Sequence, residues 1–360
     1  MAGRTLSAPR LRAEPLIHAS EPQFWPSRLL RNAHLQTILG NLPLRVWLVR
    51  RRAAALLARS QPWLLDCGEG VQLQAFYSSA LETDRPLAAP GDRGGYSARR
   101  LAVLLHGWEG SADSSYLLSL GAALLQRGFE VLRLNLRDHG ATHGLNRDIF
   151  HSCRLPEVVG AVRAIGQRLP DAQLYLAGFS LGGNFVLRVA ADAAAPPTII
   201  GAAAISPVID PAATLTALEL GASIYQRYFV RRWSRSLRIK QRAWPGAHDF
   251  GEILRLADLR AMTAALVRMS TDFPSLDAYL QGYAITGERL ATLRAPASLL
   301  VAEDDPIIPA ADLARLASSP RLTVWRTPYG GHCGFVDHLT RPSFADRFVL
   351  RQFEAFERGV

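Results

Sequence analysis

From residue 101 onward, short apolar runs alternate with longer segments whose apolar residues recur at helical spacing. The short runs have the length of buried strands, and the longer amphipathic segments have the length of helices. The predicted strands are 101–105, 130–136, 172–177 and 199–205, and the predicted helices are 114–126, 156–168 and one that includes 185–191. Because strand and helix alternate, we expect an α/β fold with a mostly parallel sheet and helices on both faces.

Two further stretches extend this pattern at its ends. Residues 63–79 alternate around Gly68-Glu69-Gly70, which predicts an antiparallel hairpin. Beyond residue 286 the same reasoning predicts strands at 297–302 and 322–326, and helices at 311–317 and 343–358. Residues 81–99 are rich in Pro and Gly and are predicted to form a loop.

The alternation is interrupted between residues 211 and 286, which are helical in character and contain no convincing buried strand. An insertion between two parallel strands of such a sheet is placed to form a cap over a site at the strand ends. We therefore divide the chain into an N-terminal extension (1–60), a core (61–210 and 287–360) and a helical cap (211–286).

Two arginine-rich stretches are each open to more than one interpretation. In the extension we predict a Ser-capped helix at 27–39, followed by residues 44–58, which form either a basic amphipathic helix on an anionic membrane or a surface helix packed on the core. In the cap, residues 225–244 place seven Arg and Lys among aromatic residues. That stretch would contact phospholipid head groups or an acidic substrate, or would be a solvated helix.

The stretch around Ser180 carries the strongest chemical signal. Gly178-Phe179-Ser180-Leu181-Gly182 lies between a predicted strand and a predicted helix, which is the context of a nucleophile elbow. Glycines at 178 and 182 suit a strained turn in which helix and strand approach closely. The alternative is a Gly-rich helix entry with an ordinary solvated serine.

An activated serine needs a histidine base, and the histidine needs an acid to orient it, in the chain order Ser, acid, His. His332 follows the last predicted strand in a Gly-flanked loop, and His338 is the weaker competitor. For the acid we select Asp305, which opens Asp-Pro-Ile-Ile-Pro at a strand end. Adjacent Asp304 should cap the turn or bind backbone amides, and Asp210 is a distant third.

The predicted oxyanion hole combines two backbone N–H groups. One belongs to Leu181, at the start of the helix after the nucleophile, and the other to Trp108, which follows Gly107 in the loop after the first parallel strand. The Trp108 side chain would line an acyl pocket or belong to the core. This chemistry requires neither a metal nor an organic cofactor, so none is predicted.

Charge and cysteine content bear on whether the protein binds nucleic acid, contains disulfides or a zinc site, or is secreted. The net charge is +10, mostly from arginine, but no nucleic-acid-binding motif accompanies it, so a nucleic acid partner is not predicted. The three cysteines are scattered, which favours free thiols over disulfides or a zinc site. The first twenty residues lack the apolar region of a secretory signal. We expect a cytoplasmic protein, with peripheral contact at the inner membrane surface left open.

These motifs together resemble the YheT-like branch of the α/β-hydrolase superfamily, to which abhydrolase-domain esterases and phospholipases are related. The resemblance is carried by 106–111 (His-Gly-Trp-Glu-Gly-Ser), 178–184 (Gly-Phe-Ser-Leu-Gly-Gly-Asn), 302–306 (Ala-Glu-Asp-Asp-Pro), 331–334 (Gly-His-Cys-Gly) and 32–37 (Asn-Ala-His-Leu-Gln-Thr). It implies an α/β-hydrolase fold and a carboxylic-ester hydrolase acting on short- or medium-chain acyl esters or lipids. Residues 137–140 depart from the family pattern, and no role for the His34 stretch follows from its residues.

The alternatives to ester hydrolysis share the same residues. Acyl transfer to an acceptor other than water, and thioester or peptide hydrolysis, use the same triad. A non-catalytic, membrane-associated binding protein that keeps the fold is the competing class. Chain length of the acyl group, head group and oligomeric state do not follow from the sequence.

Overall fold

A nine-stranded, mostly parallel sheet organises the structure, a computed structural model that describes residues 16–18, 24–80 and 99–359. The strands are β1 (Leu16–His18), β2 (Ser60–Asp66), β3 (Gln72–Ser78), β4 (Arg99–Leu105), β5 (Glu130–Leu134), β6 (Ala172–Phe179), β7 (Ile199–Ile205), β8 (Ala297–Ala302) and β9 (Leu322–Thr327). Their order is β1-β9-β8-β7-β6-β4-β5-β3-β2. Only the β2–β3 and β3–β5 pairs are antiparallel, so the predicted hairpin and the predicted parallel sheet are both confirmed.

Helices cover both faces of this sheet, as predicted. The helices are α1 (Ala33–Leu39), α2 (Pro43–Arg52), α3 (Ala54–Ala58), α4 (Ser115–Leu125), α5 (Leu155–Arg168), α6 (Leu181–Ala191), α7 (Pro211–Leu220), α8 (Ser223–Ala243), α9 (Leu259–Ser270), α10 (Leu276–Tyr283) and α11 (Phe344–Glu357). One buried apolar cluster lies between the sheet and α2, α3, α4 and α11. The other lies between the sheet and α5 and α6, and it continues into the helices of the cap. The sheet is therefore buried on both faces, which explains its nearly continuous apolar strands.

The N-terminal part differs from the prediction in two ways. The single helix predicted at 27–39 is a 3₁₀ turn, Arg28–Leu30, followed by α1. Ser27 makes no capping bond; instead the Asn32 side chain accepts a hydrogen bond from the Leu35 N–H at 2.9 Å and starts the helix. Asparagine caps a helix as well as serine does, and Asn32 sets the start of α1.

The segment predicted as one helix at 44–58 is two, α2 and α3, separated at Ala53. Its inner residues, Val49, Ala53 and Leu56, are buried in the core, which agrees with the interpretation as a packed surface helix. Its outer residues Leu44 and Trp47 are 62% and 52% exposed. Packing on the core thus accounts for one face of this segment and leaves the other uncovered.

Smaller differences concern short elements. The helix predicted at 311–317 is a 3₁₀ helix, Ala310–Arg315. Strand β1, which pairs in parallel with β9, was not predicted because three residues are too few to show a period. The first fifteen residues and most of the loop predicted at 81–99 lie outside the described residues.

Four helices, α7 to α10, occupy the chain between β7 and β8, and none of the strands belongs to this stretch in the part of the chain that the structure describes. We keep the name cap for residues 211–286. The predicted basic stretch 225–244 corresponds to α8, the longest of these helices. No helix in the described ranges combines the length and the apolar character needed to cross a bilayer.

Candidate active site

The turn around Ser180 joins β6 directly to α6. Strand β6 ends at Phe179 and helix α6 begins at Leu181, so Ser180 alone makes the change of direction. Its φ of 52° and ψ of −120° lie in a region that residues with a Cβ rarely adopt. The Ser180 N–H donates to the Ile205 carbonyl at 2.9 Å, which ties the turn to β7. The serine is therefore presented on a strained, tethered turn.

The glycines around Ser180 stand where no side chain would fit. A Cβ on Gly178 would lie 2.2 Å from the Gly182 carbonyl oxygen, and one on Gly182 would lie 2.4 Å from the Leu105 carbonyl oxygen. A Cβ on Gly107 would lie 3.1 Å from the Cβ of Ser180. Strand, helix and the 107–111 loop thus approach one another at backbone contact distance beside the serine.

Ser180, His332 and Asp305 form one chain of hydrogen bonds. His332 Nε2 lies 2.9 Å from Ser180 Oγ, and His332 Nδ1 lies 2.9 Å from Asp305 Oδ2. With Nδ1 protonated and donating to the carboxylate, Nε2 is free to accept the proton of the hydroxyl group. This is the geometry of a nucleophile, a base and the acid that fixes the tautomer of the base.

Asp305 is held by its own turn. Its Oδ1 accepts from the backbone N–H groups of Ile307 at 2.8 Å and Ile308 at 2.9 Å, which leaves Oδ2 for His332. The side chain is 2% exposed. Proline at 306 and the two hydrogen bonds from backbone N–H groups fix this carboxylate in one orientation.

The competing residues lie elsewhere. The Asp304 Oδ1 accepts from the Gly331 N–H at 2.9 Å, which agrees with the amide-binding role expected for Asp304. Asp210 caps α7 and pairs with Arg315. His338 is exposed at the surface.

Two opposing effects act on the His332 imidazole. Burial lowers the pKa of His332, but the charge and hydrogen bond of Asp305, together with neighbouring Cys333, raise it well above its usual value. A raised pKa means a stronger base. It also means that the imidazole is protonated, and unable to accept a proton, over a wider acidic range.

The predicted oxyanion donors are both placed next to Ser180. Leu181 is the first residue of α6, where backbone N–H groups have no partner within the helix. Trp108 follows Gly107, whose close approach to Ser180 is described above. Neither N–H donates a hydrogen bond to another group within the described residues. Their role in binding an oxyanion stays a prediction.

A buried histidine braces the loop that contains Trp108. The His106 Nε2 accepts from the Leu136 N–H at 3.2 Å, so its Nδ1 carries the proton and donates to the Gly107 carbonyl at 2.7 Å. Burial lowers the pKa of His106 to about 4, which keeps the ring neutral. The sequence places His106 in the motif, but its bracing role depends on a residue thirty positions away.

Two cavities meet at Ser180. The first, of about 110 Å³, is mainly apolar and extends under the cap; its walls include Leu215, Leu218, Leu259, Leu266, Leu280 and Ile308. The second, of about 510 Å³, opens between α1, α2, the 107–116 loop and α8; its walls include Ile38, Val46, Ile224, Tyr228, Arg232 and His332. Trp108 lines both and packs against Phe229. We call them the inner pocket and the outer cleft.

The departure at 137–140 has a structural role. The Asp138 carboxylate accepts from the buried Lys240 Nζ at 2.8 Å, and the same ammonium group donates to the Asp148 carbonyl at 2.9 Å. Since Lys240 belongs to α8, this pair ties the C-terminal half of that helix to the core.

No group of three His, Cys, Asp or Glu side chains in the described residues is arranged to hold a metal ion.

The Asn32–Thr37 stretch, to which the sequence assigned no role, supports the His332 loop. Thr37 Oγ1 accepts from the His332 N–H at 2.9 Å and donates to the Ala33 carbonyl at 2.7 Å. Gln36 is fully buried and bonds both backbone groups of Val336, with distances of 2.9 and 2.8 Å. Helix α1 thus positions the backbone of the loop on both sides of the imidazole.

The loop glycines explain how α1 comes so close. A Cβ on Gly331 would lie 2.4 Å from the Ala33 carbonyl oxygen, and one on Gly334 would lie 2.4 Å from the Gln36 carbonyl oxygen. These two glycines on either side of His332 were the available signal that another segment packs there. Nothing in the sequence says that the segment comes from some 300 residues away.

Replacing Thr37 with valine keeps the shape and removes the acceptor of the His332 N–H. Leaving a backbone donor unpaired costs about 1–3 kcal/mol, so a displaced loop should lower kcat by roughly 10- to 100-fold. We expect a larger effect on kcat than on KM for a small soluble ester, because the Thr37 hydroxyl bonds the backbone N–H of His332. Thr37→Ser should restore kcat. Wild-type kcat in Thr37→Val would show that the hydroxyl does not position His332.

Comparisons with known proteins agree with the fold described above. A family profile described as "alpha/beta hydrolase fold" matches residues 102–339. The chain is 25% identical over 325 residues to the Escherichia coli protein named "Putative esterase YheT", with 88% of each chain covered. It is 22% identical to "Phospholipase ABHD3" of Mus musculus, covering 71% of this chain and 64%, just under two thirds, of that protein.

Solved structures show the same fold at lower identity. The esterase Pf2001 of Pyrococcus furiosus superposes with a TM-score of 0.51 and 15% identity, covering 83% of this chain and 90% of that one. At this level of identity the likeness concerns the fold alone. It agrees with the parallel sheet and its helices on both faces.

Proposed function

The chain belongs to the alpha/beta hydrolase fold family, and from this premise we propose that it is a serine hydrolase that cleaves carboxylic esters through Ser180, His332 and Asp305. The main support is the continuous chain of hydrogen bonds from Asp305 through His332 to Ser180, with both distances at 2.9 Å. The names of the relatives, an E. coli putative esterase and a mouse phospholipase, point to the same reaction class.

The first half-reaction forms an ester on the enzyme. Ser180 Oγ attacks the carbonyl carbon while His332 Nε2 takes the hydroxyl proton. The negative charge on the tetrahedral intermediate would be stabilised by the N–H groups of Leu181 and Trp108. When the intermediate collapses, the bond to the leaving oxygen breaks and His332 returns the proton to the alcohol. The Asp305 carboxylate stabilises the imidazolium.

The second half-reaction reverses these roles with water as the nucleophile. His332 Nε2 takes a proton from water, and the resulting hydroxide attacks the acyl carbon on Ser180. Collapse of the second intermediate breaks the bond to Ser180 Oγ, which recovers its proton from His332, and releases the carboxylic acid. No group outside the triad, the oxyanion donors and water is needed for the atoms and charges to balance.

The two cavities suggest how an ester substrate would be oriented in the site. The apolar walls of the inner pocket suit an acyl chain, whereas the larger outer cleft, with Arg232 and Tyr228 on its wall, suits the alcohol part. At about 30 Å³ for each water-sized group, a volume of about 110 Å³ has room for roughly four such groups. Short acyl chains would fit inside the inner pocket, and a palmitoyl chain would not.

The test is labelling with a fluorophosphonate probe, followed by hydrolysis of p-nitrophenyl esters of increasing chain length. We expect wild type to be labelled, Ser180→Ala to be unlabelled, and kcat/KM to rise from acetate to butanoate and to be much lower at palmitate. Adding an acceptor alcohol and measuring transesterification separates hydrolysis from acyl transfer. Folded wild-type protein that neither reacts with the probe nor cleaves any ester would contradict the proposal.

A further inference from the structure

The positive charge of the chain is concentrated in two segments. Residues 24–59 contain seven arginines and no acidic residue, and residues 220–248 contain six arginines, one lysine and no acidic residue. Since the whole chain carries +10 and these two segments carry +14, the rest of the chain carries −4. A compositional preference for arginine would raise the charge everywhere, so it does not explain this division. We call the two stretches the basic segments.

The same segments hold most of the exposed apolar side chains. Of the thirteen large apolar side chains that are exposed among the described residues, ten lie in the basic segments. They are Trp25, Leu29, Leu35, Ile38, Leu42, Leu44, Trp47, Leu220, Ile224 and Tyr228. Single exposed apolar residues are normal on protein surfaces, but such a concentration marks a site of interaction.

The basic segments lie on opposite sides of the outer cleft. Ile38 and Val46 of the first segment line the cleft together with Ile224 and Tyr228 of the second. Across it, His34 Nδ1 lies 2.7 Å from Tyr225 Oη, which joins α1 directly to α8. Because the cleft extends inward to Ser180, the exposed apolar residues at its edge surround the route to the nucleophile.

The arginines of these segments are available to bind anions. Ten of them are exposed, and none of the ten forms an ion pair within the described residues. They are Arg28, Arg50, Arg51, Arg59, Arg227, Arg231, Arg232, Arg235, Arg238 and Arg242. Arg51 stacks on Trp47, and Arg232 donates to the Glu109 carbonyl oxygen. Neither of those contacts is an ion pair, although Arg232 also lies close enough to the Glu109 carboxyl group to lower the pKa of that group.

We propose that the two basic segments form a surface that docks on an anionic phospholipid bilayer, with the outer cleft opening toward the lipid. Exposed Leu, Ile and Trp side chains enter the boundary between head groups and acyl chains, while flanking arginines attract anionic head groups. A nucleic acid would use the cations but leave the aliphatic side chains without a partner. Docking itself does not rest on the proposed function. If the protein is also an ester hydrolase, the bilayer would supply its ester substrate, and that consequence alone rests on the proposed function.

The experiment is co-sedimentation of the full chain, as wild type and as Ser180→Ala, with vesicles. One set contains phosphatidylcholine alone and the other contains phosphatidylcholine with phosphatidylglycerol. We expect binding to the anionic vesicles, much weaker binding to the neutral ones, and release at high salt. Equal binding to both sets, or tighter binding to duplex DNA than to anionic vesicles, would overturn the proposal.

Charge reversals test each segment separately. Each arginine near an anionic bilayer contributes about fivefold to partitioning. Arg50→Glu with Arg51→Glu, and Arg227→Glu with Arg231→Glu, should each weaken binding by about 25-fold or more. Arg163→Glu with Arg294→Glu changes two exposed arginines outside the segments and should leave binding unchanged. If the control pair weakens binding as much as the test pairs, net charge and not this surface is responsible.

Apolar substitutions test insertion. Leu44→Ser with Trp47→Ser should weaken binding to anionic vesicles, whereas Leu64→Ser, at an exposed apolar residue outside the segments, should not. Wild-type binding in the double variant would overturn insertion by this segment. Brominated phospholipid should quench tryptophan fluorescence in wild type, and less so in Trp47→Phe.

A soluble ester keeps the two proposals apart. Hydrolysis of p-nitrophenyl acetate should be the same in all of these docking variants, because none of the substituted residues lines the outer cleft or belongs to the triad. Vesicle binding by a protein without esterase activity would support docking and remove the proposed function. Esterase activity in a protein that binds no vesicle would do the reverse.

Discussion

Replacing Ser180 or His332 with alanine is expected to lower kcat for ester hydrolysis by about 10⁶, the loss measured when a member of such a triad is removed from another serine hydrolase. In the proposed mechanism Ser180 Oγ forms the covalent bond and His332 Nε2 carries the proton in every step, so neither has a substitute among the groups that contact them. Steady-state hydrolysis of p-nitrophenyl butanoate by purified variants, with circular dichroism to verify folding, measures the effect.

When two residues act together in one step, removing either of them abolishes their joint contribution to the rate, and removing the second costs nothing more. The Ser180→Ala/His332→Ala double variant should therefore be no slower than either single variant. Ser27→Ala and His338→Ala are matched controls, since both side chains are exposed and outside the site, and both should keep wild-type kcat. If the two single losses multiply in the double variant, Ser180 and His332 do not act together.

Replacing Asp305 with asparagine is expected to lower kcat by roughly 10⁴. The amide keeps the shape of the carboxylate but removes the charge that stabilises the imidazolium, and it can present N–H to His332 Nδ1 and so favour the wrong tautomer. Asp304→Asn is the matched control at the neighbouring position. Its Oδ1 bonds the Gly331 N–H and does not contact the imidazole, so we expect a much smaller loss. A reversed order of the two losses would transfer the acid role to Asp304.

The same variant should change the pH profile in a defined direction. In wild type we expect activity to rise with pH as His332 loses its proton, and Asp305 raises the pKa at which this occurs. Without the Asp305 charge, the largest effect that raises the pKa of His332 is lost, while burial continues to lower that pKa. The acidic limb of kcat/KM should therefore move to lower pH in Asp305→Asn. A limb that stays in place would mean that it reports another group.

The residues whose roles depend on local sequence were predictable. Strand β7 begins and ends where the apolar run does, and Ser180 lies between strand and helix as its flanking glycines indicate. The pairing of His332 with Asp305 was expected from the chain order Ser, acid, His and from the place of both residues after strand ends. In the structure those strands, β8 and β9, are parallel neighbours. The catalytic roles themselves remain for the experiments above.

The contributions of distant segments were not predictable. The bond between Thr37 and the His332 N–H joins residues 295 positions apart, and no period or spacing in either stretch points to the other. The inner pocket is formed by side chains from four separate cap helices, whose mutual packing the amphipathic pattern does not specify. The concentration of charge in two segments was visible in the sequence, but their common cleft was not.

The strained backbone conformation of Ser180, the proposed nucleophile, lowers the stability of the fold. A residue with a Cβ held at a φ of 52° and ψ of −120° costs about 1–3 kcal/mol relative to relaxed backbone, a sizeable share of the total stability of a domain. Glycine would adopt the same turn without this strain. Selection for folding alone would therefore favour glycine at position 180, and a serine there implies a benefit that outweighs the lost stability.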